Sequence, residues 1–163
     1  MHITERYELP APPDKVFAML TDEEFVARKC AAQHAIRHSG TVHRHGDGAK
    51  VVAHRELPTG GFPDFAKALV GHTIHVTETV EWSPARSDGT RTGKLTVHMG
   101  AAPIGVHGTI TLAPGGAGSV ITYSGDLKAR VPFIGGRVEN AAKPTLVAGI
   151  HKERDTGADW LAE

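Results

Sequence analysis

Residues 131–162, VPFIGGRVENAAKPTLVAGIHKERDTGADWLA, decide the fold. Before Val131, apolar residues recur at every second position. Inside this stretch Val138, Ala142, Leu146, Gly149, Ile150, Gly157, Trp160 and Leu161 recur mostly three or four positions apart, the period of one helix face. The spacing predicts one long helix over about 135–162. Pro144 should kink it, because proline removes one backbone hydrogen bond and crowds the preceding turn.

Working back from that helix, period-two patterns predict strands at about 36–45, 49–57, 72–83, 91–101, 104–112 and 119–131. Turn chemistry separates them. Gly46-Asp47-Gly48 suits a tight hairpin, and Ser83-Pro84 followed by Ser87-Asp88-Gly89 a longer connection. Ala102-Pro103 makes a short turn, and Pro114 to Gly118 supplies residues that tolerate positive φ. Short connections between successive strands imply an antiparallel sheet.

At the other end of the chain, Ile3, Tyr7 and Leu9 alternate with His2, Thr4, Arg6 and Glu8 in a half-buried strand over residues 2–9. Prolines 10, 12 and 13 end it and suit the first turn of a short helix, about 14–20, with Val16, Phe17 and Leu20 as its apolar side. Thr21 or Asp22 can cap a second helix, with Glu23 and Glu24 in its first turn and Phe25, Val26 and Cys30 buried. The segment 58–71 interrupts the strands and holds a short helix from Pro63 to Leu69. The expected fold is α+β, in the order β-α-α-β6-α: a curved seven-stranded antiparallel sheet around a long C-terminal helix. At 163 residues the chain reads as a single domain, 1–163.

Composition narrows the function. Lys plus Arg and Asp plus Glu both number 18, so no whole-domain basic footprint for nucleic acid exists. One cysteine excludes an internal disulfide and fits a reducing compartment. The chain enters its first strand without a signal-peptide core, and no apolar run approaches membrane-spanning length. The cytoplasm is the expected location, without stable membrane insertion. Oligomeric state stays open.

Two segments carry a family resemblance: Leu9-Pro10-Ala11-Pro12-Pro13-Asp14-Lys15-Val16-Phe17-Ala18-Met19-Leu20 and Val131-Pro132-Phe133-Ile134-Gly135-Gly136-Arg137-Val138-Glu139. With the order of elements, they resemble the START-like helix-grip superfamily, which includes polyketide cyclases, birch-pollen-allergen-like proteins and lipid-transfer domains. The second segment looks like one of the carbon-monoxide-dehydrogenase subunit families, and more like a bacterial branch of unassigned function. The resemblance implies a cavity between sheet and helix. It does not select among binding, transfer, cyclisation and regulation.

Given that topology, the inner strand faces become the candidate ligand-binding wall: Val51, Ala53, Arg55; Ile74, Val76, Glu78; Leu95, Val97, Met99; Val106, Ile110; and Tyr123, opposite Leu146 and Ile150 of the helix. Ala53, Gly108, Gly125 and Gly149 are expected to leave volume there. Glu5, His38, Arg55 and Glu78 break the apolar faces, and a charge on an inner face needs a partner or an opening. Arg55 suits an anionic ligand head. An internal Arg55–Glu78 ion pair is the preferred reading, because their strands are neighbours. Tyr123 reads first as core with its hydroxyl satisfied. Phe62, Phe65 and Leu69 are the candidate gate, with Gly60, Gly61 and Gly71 as flexible points.

No catalytic residue, metal or cofactor is expected. His43 and His45 share a strand face, but a metal normally needs three or four converging ligands. Cys30 has no evident base partner and reads as an inert buried thiol. Gly89-Thr90-Arg91-Thr92-Gly93-Lys94-Leu95 glances at a phosphate loop but is one residue short and feeds a strand. The leading expectation is carriage of an apolar or amphipathic small molecule, lipid or polyketide-like. A cyclase, aromatase or hydrolase using the same cavity is the alternative, and a protein-interaction module, hinted at by Trp160 and Leu161, is a third.

Overall fold

The computed structural model describes every residue except Ala101. Its elements are β1 (His2–Leu9), α1 (Pro13–Leu20), α2 (Glu23–Ala32), β2 (Arg37–His45), β3 (Gly48–Pro58), α3 (Asp64–Val70), β4 (Thr73–Trp82), β5 (Arg91–Met99), β6 (Ile104–Gly115), β7 (Gly118–Ala129) and α4 (Gly135–Ala162). The strands form one antiparallel sheet in the order β1-β7-β6-β5-β4-β3-β2. This is the α+β helix-grip arrangement. β6 runs past its expected end at 112, because Gly115 pairs directly with Gly118 across a two-residue turn, while β7 begins at Gly118 and ends at Ala129, short of the expected 131. The expected end of the fifth strand falls on Ala101 and lies outside the described residues.

Local chemistry starts the short helices. Pro13 occupies the first turn of α1, where its missing N–H has no partner to lose. The Asp22 side chain caps α2 by accepting from the Glu24 N–H at 2.8 Å. The Thr21 hydroxyl donates to the Phe17 carbonyl at 2.7 Å, and Arg44 on β2 donates to the Thr21 carbonyl at 3.1 Å. The junction between the two helices is thereby tied to the sheet edge.

Arg91 fastens α1 to the other half of the sheet. It is buried, donates to the Asp47 carbonyl at 2.6 Å and to Asp47 Oδ1 at 2.9 Å, and lies 3.6 Å over the Phe17 ring. Phe17 in turn meets Trp82 edge to face at 5.9 Å. The Gly89–Leu95 stretch therefore serves a loop and a strand, with its arginine consumed structurally.

The core fills the space between sheet and helices. Phe25 is fully buried and meets Trp160 edge to face at 5.6 Å. Trp160 thus docks on α2 rather than on the sheet. Along α4 only Val138, Ala142, Glu153 and Gly157 are buried, and the helix runs unbroken through Pro144. Between Ala142 and Glu153 it is held by half-buried side chains, Leu146 and Ile150 among them. No helix among the described residues is long and apolar enough to cross a membrane.

Not every small residue leaves space. A Cβ on Gly108 would run into the Ser124 carbonyl and lie 2.5 Å from Gly125 Cα, so the β7 backbone fills that volume. At Gly149 the Gln33 amide nitrogen lies 2.6 Å from a Cβ position, so a side chain narrows the space there. Gly125 and Gly149 do line the cavity described next, Gly149 with Gln33 close beside it.

Candidate functional site

Alternation along β3 and β4 brings Arg55 and Glu78 to the inner face, where Arg55 Nη2 stands 3.5 Å from Glu78 Oε2. Two helices complete the cluster. Lys29 of α2 donates to Glu78 Oε1 at 3.0 Å and lies 3.8 Å from Glu153 of α4. Glu153 accepts from the Tyr7 hydroxyl at 3.1 Å and from the Tyr123 hydroxyl through its other oxygen. Two cations, two carboxylates and two phenols from six elements thus form one buried network.

The network sets the protonation of its members. Burial works against the Glu78 charge, but Lys29 and Arg55 outweigh it and hold the carboxyl at about 2, from an ordinary 4.5. Burial likewise disfavours the Lys29 ammonium, yet Glu153 and Glu78 raise its pKa. Tyr7 and Tyr123 are pushed well above the ordinary phenol range, by burial first and by the Glu153 charge second. Both stay hydrogen-bond donors. Burial also raises the Cys30 thiol, against the lowering effect of Arg55 and Lys29, which keeps it a poor nucleophile.

Because the folded pKa of Glu78 is depressed, its contribution to stability is fully present above about pH 4.5 and is lost as pH falls towards 2. The unfolding free energy of the wild type is expected to fall more steeply across that window than that of Glu78→Gln. Equal slopes in urea titrations at stepped pH would remove Glu78 as the cause.

Above the network lies a cavity of about 50 Å³ between the sheet and α4. Arg55, Glu78, Leu95, Val97, Val106, Tyr123, Leu146 and Ile150 line it, with Ile3, Lys29, Gln33, Ser124, Gly125, Gly149 and Glu153. The remaining wall candidates lie elsewhere. Val51, Ala53, Val76 and Ile110 are buried off the cavity, in the core that the sheet and the short helices fill. Ile74 and Met99 border a separate space of about 10 Å³ under α3, with Phe62, Leu69, Val138 and Ala142. Phe62 also faces an outer hollow of about 390 Å³ beside Pro144, and Phe65 stacks under Arg137 at 4.4 Å. The base of this excursion is closed, since Thr59 donates to the carbonyls of Gly71 and His72.

His38 faces Arg55 across the β2–β3 register but is exposed and outside the cavity, because β2 is the sheet edge. Glu5 is half-buried and pairs with His151 at 3.5 Å. His43, His98 and His107 are exposed. No group of three metal-ligating side chains among the described residues is placed to hold an ion.

Strand alternation alone does not reveal Lys29, Glu153 or the phenol of Tyr7 as parts of the site. The signal was in the helix periods. Lys29 falls four residues after Phe25, and Glu153 lies between Ile150 and Gly157 in the α4 stripe.

Solved structures share the architecture at low identity. A Thermus thermophilus protein, TTHA0849, aligns with a TM-score of 0.65 and 13% identity, over 98% of this chain and 95% of that one. A START superfamily protein from Mycobacterium smegmatis gives 0.60 and 14%, over 98% of both chains. The Zhui aromatase/cyclase from Streptomyces sp. R1128 gives 0.59 and 10%, over 98% and 92%. At such identities the likeness shows the fold alone. No curated protein matches by sequence. A family model described as "Protein of unknown function (DUF2505)" matches residues 4–161, nearly the whole chain, and the chain belongs to that family.

Proposed function

We propose that this protein binds and carries an apolar or amphipathic small molecule, lipid or polyketide-like, between the sheet and α4. The observation that carries this reading is the cavity itself: apolar over most of its wall, floored by a buried polar network, and rimmed by the half-buried Leu146 and Ile150. Its volume of about 50 Å³ admits only a small group, whereas small-molecule sites commonly span roughly 300–1,000 Å³. Entry of a whole ligand therefore requires local opening. The stretch of α4 between Ala142 and Glu153 buries no residue and contains Pro144, which makes it the weakly anchored element.

The polar network favours binding over catalysis. Glu153 accepts from two phenols beside Lys29, and Glu78 is paired with Lys29 and Arg55, so both carboxylates of the cavity wall are engaged in the network.

Native mass spectrometry of the purified protein tests the reading. A compound bound one to one is the expected result, and Ile150→Trp, which fills the cavity rim, should reduce its occupancy about tenfold. An empty protein with no thermal shift across a panel of apolar ligands would overturn it.

A further inference from the structure

Among the described residues, the exposed large hydrophobic side chains are Ile36, Leu69 and Phe133. They are far apart in sequence, yet all three leave the same end of the sheet. Ile36 immediately precedes β2, Leu69 belongs to α3 between β3 and β4, and Phe133 sits between β7 and α4. The antiparallel register brings the start of β2, the β3–β4 link and the end of β7 to that one end.

Phe133 is held there at a cost. Its side chain is fully exposed and its φ is +69°. The Ile134 N–H donates to the Pro132 carbonyl at 2.9 Å, which closes a three-residue turn about it. Such a turn at positive φ is rare and strained, and a bulky residue there is an outlier. The ring gains no packing in return. Strain of this kind collects at functional sites.

Charge indicates what meets this end. Segments 34–37, 58–72 and 128–137 carry Arg37, Lys67, Lys128, Arg130 and Arg137 against one acid, Asp64. The whole chain has zero formal charge, so the excess is local. Nearby acids offset little of it. Glu139 matches the amino terminus at 3.1 Å, and Glu56 meets Arg37 only at 3.7 Å. Lys128, Arg130 and Arg137 are exposed, with Arg137 lying over the Phe65 ring. Apolar tips among cations suit an anionic lipid surface, where rings enter the interface and cations meet head-group phosphates. A protein partner would instead need one contiguous, well-packed patch, and these tips rise from three separate links.

We propose that this end of the sheet docks peripherally on an anionic phospholipid bilayer. Phe133 and Leu69 enter the interface, while Lys128, Arg130 and Arg137 face the head groups. The proposal does not depend on what the cavity holds.

Cosedimentation of the full chain with vesicles tests it. One set is phosphatidylcholine alone, the other phosphatidylcholine and phosphatidylglycerol in equal parts. The mixed vesicles are expected to bind about tenfold more tightly, with the advantage shrinking as salt rises. Phe133→Ser removes no packing inside the protein and should weaken that binding about tenfold. Arg130→Glu should do the same through charge, by about tenfold. Arg86→Glu makes the identical change of net charge on the exposed β4–β5 link, at the opposite end of the sheet, and should leave binding unchanged.

Equal binding to both vesicle types, equal losses in Arg130→Glu and Arg86→Glu, or no sedimentation with either vesicle overturns the proposal. So does a dimer in analytical ultracentrifugation that Phe133→Ser dissociates, since a second copy would then cover this end.

Discussion

Lys29→Met is expected to lower the free energy of unfolding by about 3–5 kcal/mol, the cost of leaving buried charge without its partner. Lys29 is 9% exposed and stands between Glu78 and Glu153, themselves 14% and 6% exposed. Methionine preserves the aliphatic stem, so packing changes little. Without the ammonium, Glu78 retains only Arg55 at 3.5 Å, and Glu153 faces the interior with no cation. Adding Glu153→Gln removes the matching negative charge and keeps an acceptor for the two phenols. The double variant should recover at least half of the loss, a coupling that marks residues of one network. Denaturant titrations followed by tryptophan fluorescence measure both. A loss below about 1 kcal/mol, with no coupling, would mean that the network contributes no more than surface pairs do.

Gly108→Ala should be nearly as damaging, although it adds only one methyl group. That methyl would meet the Ser124 carbonyl and the Gly125 backbone, neither of which can turn aside as a flexible side chain can. The β6–β7 ladder must part locally, and the combined overpacking and hydrogen-bond loss is on the order of 3 kcal/mol. Gly136→Ala is the control. Its Cβ meets nothing within 4 Å, and it sits in the first turn of α4, so stability should hold or rise slightly. Similar thermal midpoints for the two variants would show that the close strand approach at Gly108 is not required.

The glycine result bears on what a sequence can say. Period and turn chemistry place the elements well: the switch of period near Val131, the Gly46-Asp47-Gly48 hairpin and a cap at Thr21 or Asp22, which the structure assigns to Asp22, all correspond to features of the structure. The same pattern cannot say whether a small residue on an inner face makes room for a ligand or for another backbone. Gly108 and Gly125 are adjacent in the β6–β7 register, yet only Gly125 reaches the cavity wall.

Polar residues show a similar split. Arg55 and Glu78 stand out because strict alternation on a strand makes any charge on the inner face an interruption. Helices spread their apolar stripe over a wide arc, so Lys29 and Glu153 pass as ordinary surface charges until the docking angle of each helix is known. Tyr7 falls on the inner face by period, but its hydrogen bond to Glu153 joins residues 146 positions apart, a separation no local pattern encodes.

That separation also orders the folding reaction. Every strand pairing but one joins neighbours in sequence, through hairpins or short excursions; the exception is β1 with β7, Ile3 opposite Gly125. Long loops close against a larger entropy, so contacts of this kind form late. The meander from β2 to β7 is expected to gain amide protection first in pulse-labelled hydrogen exchange, with β1 and α4 following. Simultaneous protection of all seven strands would contradict that order. Until β1 and α4 arrive, Lys29 has only Glu78 for company and both phenols await their acceptor, which makes the polar network a late lock on the fold rather than its nucleus.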